Sequence, residues 1–143
     1  MRISGLDHYN IATADLDRAR RFYTEVIGFR DGDRPPFGKP GAWMYVGDHA
    51  LLHIGTTRTP ATRGKSDSFD HVAFRAAGLD EIRARMREQK IYFEEFSVPA
   101  RNLHQVFFRD PDGNEIELLF TGEEAAAAAA AGAKVDSSLG RGV

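Results

Sequence analysis

Leu6, Tyr9 and Ile11 lie in a short run that alternates as a strand does and ends near Thr13. Beyond it the spacing changes. Leu16, Ala19, Phe22, Tyr23 and Val26 recur at helical intervals, Asp15 stands where an N-cap belongs, and Gly28 supplies the stop. The Gly- and Pro-rich stretch RDGDRPPFGKPG then reads as a loop. It leads into two strand-like runs, AWMYVG and ALLHIG, with Asp48 and His49 in the turn between them.

The succession then begins again. FDHVAFRA reads as a strand, and LDEIRARMREQ as a helix with Leu79, Ile82 and Met86 on one face. IYFEEFSV, QVFFRD and NEIELLF are further strand-like runs, the last two joined at DPDG, a strong turn signal. LDHYNIATADLDRAR at residue 6 and FDHVAFRAAGLDEIRAR at residue 69 share an apolar-Asp-His start, an alternating run, then Leu-Asp and an Arg-rich segment. Element order, helix start and helix length agree, so the chain reads as a tandem pair of α+β modules, about residues 5–57 and 68–120. The EEAAAAAAAGAKVDSSLGRGV end has a different composition. Residues 121–143 are expected to form an Ala-rich helical or frayed tail, flexible and outside the single domain of residues 1–120.

Composition narrows the function classes. At 143 residues, 42% hydrophobic and 28% charged, the chain is that of a soluble globular domain with a core of ordinary size. A net charge of −2 without a Lys/Arg stripe speaks against nucleic acid as a partner. No apolar run approaches the roughly 20 residues that span a bilayer, and MRISGLDHYN lacks a signal-peptide core. The expectation is a cytoplasmic protein with no membrane partner. The absence of cysteine removes disulfides and thiolate metal sites.

A duplicated unit lets one site be built by symmetry. The opening strands place His8 and His71 in register, and the closing strands place His53 against Glu117. Alternation in NEIELLF sets Glu115, Glu117 and Leu119 on one face and Ile116, Leu118 and Phe120 on the other. A carboxylate so near the middle of an apolar strand needs a partner, and a metal ion is an efficient one. Imidazole and carboxylate together suit Zn, Ni, Mn or Fe(II). His8, His71, Glu117 and His53 are therefore the candidate metal ligands.

With these residues the chain resembles the vicinal oxygen chelate superfamily of glyoxalase I, fosfomycin-resistance thiol transferases, extradiol dioxygenases and bleomycin-binding proteins. The carriers are LDHYNIATADLDRARRFYTEVIGF, FDHVAF and FFRDPDGNEIELLF, within about residues 5–120. The resemblance implies two βαβββ modules curling around a divalent metal, with His8, His71 and Glu117 at ligand positions. It also implies a homodimer with sites at the subunit interface, His8 and His53 from one chain and His71 and Glu117 from its partner. His53 stands where glyoxalase I of the bacterial type carries a glutamate, which counts against strict glyoxalase I activity.

His53 and His49 are the candidate bases. Phe37, Trp43, Arg34, His104 and Gln105 are the candidate substrate contacts. The leading expectation is a metal-dependent lyase or isomerase that binds a small substrate through vicinal oxygens. The alternatives are an Fe(II) extradiol dioxygenase acting on a catechol, a thiol transferase, and a metal-free binding protein of the bleomycin-resistance type.

Overall fold

In a computed structural model of the chain, residues 1–57 and 69–132 are described, and they fall into two compact units, one on each side of the gap. In the first unit, β1 (Tyr9–Thr13) leads to α1 (Leu16–Arg21), whose last turns widen into a π-helix over Phe22–Ile27. Asp15 caps α1 as its position suggests, its carboxylate accepting from the Arg18 amide at 2.9 Å. Gly28, at φ 88°, ends the helix in the left-handed region where a side chain would be strained. β2 (Arg30–Gly32), β3 (Gly41–Val46) and β4 (His49–Thr56) follow. The sheet order is β1-β4-β3-β2, with β1 parallel to β4 and the other pairs antiparallel.

The second unit repeats this plan. It runs β5 (His71–Arg75), α2 (Leu79–Glu88), β6 (Phe93–Val98), β7 (Leu103–Arg109) and β8 (Glu115–Thr121), in the order β5-β8-β7-β6. The registers of the two sheets correspond as well. Asn10 pairs with His53 across the parallel strands of the first, and Ala73 pairs with Glu117 across those of the second. Trp43 faces His53 as Phe107 faces Glu117. Both units are thus βαβββ, as expected. β2 is the element the pattern did not show, because Arg-Asp-Gly is a poor strand former and pairs only as a short edge.

Each sheet has a helix face and a face that carries no helix, the open face, although Gln105, Phe107 and Glu117 on that face of the second sheet are buried. Ile11, Ala42, Met44, Leu52 and Ile54 are buried on the first sheet's helix face, with Ala19, Phe22, Tyr23 and Val26 from the helix. Val106, Phe108, Ile116, Leu118 and Phe120 line that face of the second. Removing such area from water is what holds each layer together, at about 25 cal/mol per Å² of apolar surface. The candidate ligands sit on the alternate positions. Period-2 alternation therefore sends the core to one side and the chemistry to the other.

The Ala-rich end departs from the expected flexible tail over its first part. Gly122–Ala130 forms α3, packs on β6, β7 and β8, and buries Ala125 and Ala128. The reason is in α2, which starts at Gly78 in the left-handed region with no side-chain cap of its own. Glu124 supplies one from α3: its Oε1 accepts from the amides of Gly78 at 2.9 Å and Leu79 at 2.8 Å. A carboxylate there satisfies two orphan donors and faces the positive end of the helix dipole. Glu124→Ala is therefore expected to cost about 1–2 kcal/mol in urea denaturation. Residues 133–143 of that expectation lie outside the described residues.

Candidate functional site

In the second unit, the strand alternation delivers Glu117 to the open face, yet it is only 4% exposed. Its two oxygens are held separately. Oε1 accepts from Gln105 Nε2 at 2.8 Å, while Oε2 lies 2.9 Å from His71 Nε2. His71 opens β5, so the parallel β5–β8 pairing brings its ring over the neighbouring strand. Its other nitrogen, Nδ1, is 3.0 Å from Asp70, and Phe107 packs edge-on against the ring at 5.6 Å.

In the first unit, His8 lies one residue before β1, not within it, and its Nδ1 bonds Asp7 at 2.7 Å. Its ring stacks on His53 at 3.9 Å and 18°. On the far side of His53, Trp43 stacks at 4.2 Å and 7°. His53 is therefore sandwiched, and at its edge one ring nitrogen hydrogen-bonds the Ala50 backbone. Burial, followed by the neighbouring His8, pushes its pKa below the usual 6.5. His53 is thus a neutral imidazole at pH 7, able to accept a proton or donate a lone pair.

The structure places the expected contacts unequally. Phe37 packs near Trp43, at 6.0 Å, and Arg34 lies over the Phe37 ring at 4.9 Å. Gln105 shares the open face with Glu117. His49 does not join His53: its Nε2 hydrogen-bonds the Asp7 carbonyl, which requires a proton on that nitrogen. It tethers the segment that carries His8.

The structure places His104 apart from the other expected substrate contacts. Adjacent strand residues point to opposite faces, so His104 goes to the helix side when Gln105 goes to the open side. It is fully buried, with Nδ1 2.9 Å from Ser97 Oγ and Nε2 3.0 Å from Glu95. Arg83 of α2 completes the group with bonds to Glu95 as short as 2.6 Å. No signal in the sequence paired Arg83 with Glu95, because helix and strand positions meet only in three dimensions.

Burial lowers the His104 pKa from 6.5, and the Glu95 interaction opposes this without reversing it. The unfolded chain therefore binds that proton more readily than the folded one. The contribution of neutral His104 is fully present above pH 6.5 and declines as pH falls through its depressed folded value. In urea denaturation between pH 8 and 5, stability is expected to drop on the acid side, and the drop to shrink in His104→Gln.

A divalent metal ion makes definite demands on this donor set. His71 Nε2 and Glu117 Oε2 cannot face each other at 2.9 Å with two bare lone pairs, so a proton lies between them. Two metal bonds of roughly 2.1 Å at a right angle span about 3.0 Å, so this pair fits a divalent cation in place of the proton. His8 and His53 offer suitable nitrogens, but stacked rings direct their lone pairs side by side. One ring must turn for both to point at one ion. Among the described residues, no group of three His, Asp or Glu side chains is arranged to hold a metal. The four expected ligands occur as two pairs, one in each unit.

Known proteins resemble the chain along most of its length. The pattern of the Glyoxalase/Bleomycin resistance protein/Dioxygenase superfamily matches residues 5–118. A protein named glyoxylase I 4 from Arabidopsis thaliana is 25% identical over 82% of this chain and 71% of its own. A probable lactoylglutathione lyase from Vibrio cholerae is 28% identical over 78% of this chain and 87% of its own. The metallothiol transferase FosB of Staphylococcus epidermidis is 23% identical, covering 82% of both chains. Among solved structures, the glyoxalase family protein of Enterococcus faecalis superimposes with a TM-score of 0.63 at 25% identity, over 83% of this chain and 99% of that one.

Proposed function

The chain belongs to the glyoxalase/bleomycin resistance protein/dioxygenase superfamily, and from that membership we propose that it is a divalent-metal-dependent lyase or isomerase. Its substrate is a small molecule with two neighbouring oxygens. The observation that carries this reading is Glu117: a buried carboxylate on an open sheet face, with one oxygen fixed by Gln105 and the other aimed at His71 Nε2. A carboxylate is costly to bury unless a cation or donors compensate it, and here a metal ion could take the place of the proton that Oε2 shares with His71 Nε2.

His8, His71 and Glu117 would hold the ion, and His53 is left as the base. Zn, Ni, Mn and Fe(II) all suit these atoms. In a homodimer His8 and His53 come from one chain, and His71 and Glu117 from its partner. The bound ion would act as a Lewis acid toward negative charge developing on a substrate oxygen. The chain itself supplies the proton transfer. His53 is neutral, its plane is fixed between Trp43 and His8, and the ring nitrogen not bonded to the Ala50 backbone receives a proton from a substrate carbon. Asp70 and Asp7 orient the outer histidines from behind, as carboxylates beside metal-binding imidazoles do. A cytoplasmic location fits this reading, and among the described residues no helix is long and apolar enough to cross a membrane.

The name of the Vibrio cholerae relative supports lyase chemistry, and that of FosB keeps a thiol-dependent reaction as the second reading. The test is to supply Zn, Ni, Mn and Fe(II) under reducing conditions to protein purified without tag or chelator, and then to measure retained metal. Retention of none of them would falsify the metalloenzyme reading. With metal retained, oxygen uptake on catechols would indicate a dioxygenase, and dependence of turnover on added thiol a transferase. His53→Gln keeps an oxygen donor but no base. It is expected to retain metal while kcat falls by about 100-fold or more.

A further inference from the structure

The two units differ at one corresponding place on their open faces. In the second unit, Gln105 stands two residues before Phe107 on β7 and donates to Glu117. The register of the first unit puts Gly41 at that position, two residues before Trp43, with His53 in the place of Glu117. Gly41 has no side chain to offer, and the place of its Cβ is bordered by the Ile54 carbonyl, at 2.6 Å, and by Arg34 from the preceding loop. A Cβ on Gly41 would lie 3.0 Å from the nearer guanidinium nitrogen and 3.1 Å from its carbon. The guanidinium is therefore held between the Gly41 backbone and the Phe37 ring.

Its role differs from that of Gln105 for a chemical reason. The Gln105 amide is used on a carboxylate. Arg34 finds an imidazole whose two faces are covered by Trp43 and His8 and which carries no negative charge. Among the described residues no carboxylate pairs with Arg34. Among those residues it is a fork of donors without a counter-ion, close enough for its charge to act on His53. Beside it, the Phe37 ring is 57% exposed.

We propose that Arg34 is the receptor for a carboxylate on the substrate, so that this chain handles a small acid whose flat, unsaturated body lies against Phe37 and Trp43. This rests on the active-site reading above and names the substrate class of that site. A guanidinium grips a planar carboxylate with two parallel hydrogen bonds, and an aromatic wall favours a planar apolar body. The His at position 53 and the free Arg34 are then one feature. A carboxylate at 53 would neutralise the guanidinium, whereas the histidine leaves it for the substrate.

Trp43 is the single tryptophan of the chain, so its emission reports on this place alone. The experiment titrates benzoate, benzamide and phenylphosphonate into the full chain and follows that emission, with metal content measured on the same samples. Benzoate is expected to bind saturably and about tenfold or more tightly than benzamide, the discrimination a charge-assisted pair supplies. In Arg34→Met the benzoate affinity should fall to that of benzamide, while benzamide binding stays unchanged and shows the fold intact. Equal affinity for benzoate and benzamide, binding of neither, an Arg34→Met protein that still prefers benzoate, or stronger binding of phenylphosphonate would each overturn the proposal. If wild-type protein retains metal yet fails these tests, only this inference falls. If it retains no metal, the metalloenzyme reading falls whatever benzoate does.

Discussion

Glu117→Gln is expected to lower the affinity for a divalent metal by about 100-fold or more and to leave the folding free energy within about 1 kcal/mol of wild type. The first figure follows because even residues one bond removed from a metal ligand typically change affinity 10- to 100-fold, and Glu117 is a proposed ligand itself. The second follows from the atoms around it. A glutamine at 117 keeps the volume, and its carbonyl oxygen still accepts from Gln105 Nε2, which lies at 2.8 Å in wild type. Its amide group donates to His71 Nε2, which needs no charge for that bond. The change also relieves the cost of a carboxylate that is 4% exposed. Competition against a chelating dye measures the affinity, and urea denaturation the stability. If Glu117 served only to hold β5 against β8, stability would fall and metal affinity would not move.

Glu95→Ala is expected to do the reverse, costing about 3 kcal/mol or more of stability with metal affinity unchanged. Glu95 joins Arg83 of α2 to His104 of β7 on the helix face, away from Glu117. Burial pushes its pKa up, but the Arg83 and His104 bonds outweigh this and hold it below the usual 4.5. Its stabilising charge is therefore fully present above pH 4.5 and is lost only as pH falls through the lower folded value. Without Glu95 the guanidinium of Arg83, with its side chain 19% exposed, keeps only the solvent-facing Asp80, and His104 Nε2 loses its acceptor. Removing one member of a partly buried ionic group strands the others, which is why the loss exceeds that of a surface ion pair. Urea denaturation at pH 7.5 reads this cost, and Glu95→Gln, which still accepts from His104, should recover part of it.

These two glutamates show how unevenly the site was legible. Glu117 stood out because it is a charge near the middle of the apolar run in NEIELLF, and because a repeat supplied its counterpart at His53. His8 and His71 were found by the same comparison. His104 and Gln105 were named together as candidate contacts, but strand geometry separates neighbours by a full face and only three-dimensional pairing shows which face is the core. Glu95 and Arg83 passed unnoticed, since both are charged residues in amphipathic segments where exposure is the ordinary expectation. Glu124 was passed over for a similar reason: a glutamate ahead of seven alanines looks like the solvated start of a tail until α2 is seen to lack a cap.

The amino-acid sequence by itself determined the duplication, the βαβββ order except for β2, and which strand positions carry candidate ligands. These follow from local periodicity and turn chemistry, which act over a few residues and are written directly in the order of side chains. Tertiary structure alone decided the partnerships: Gln105 on one oxygen of Glu117 and His71 on the other, His53 stacked between Trp43 and His8, Arg34 settled over Gly41, Glu124 capping α2. Such contacts join residues distant in the chain, and their energies depend on burial and direction. Neither exists until the strands have paired and one face of each sheet has been chosen for the core.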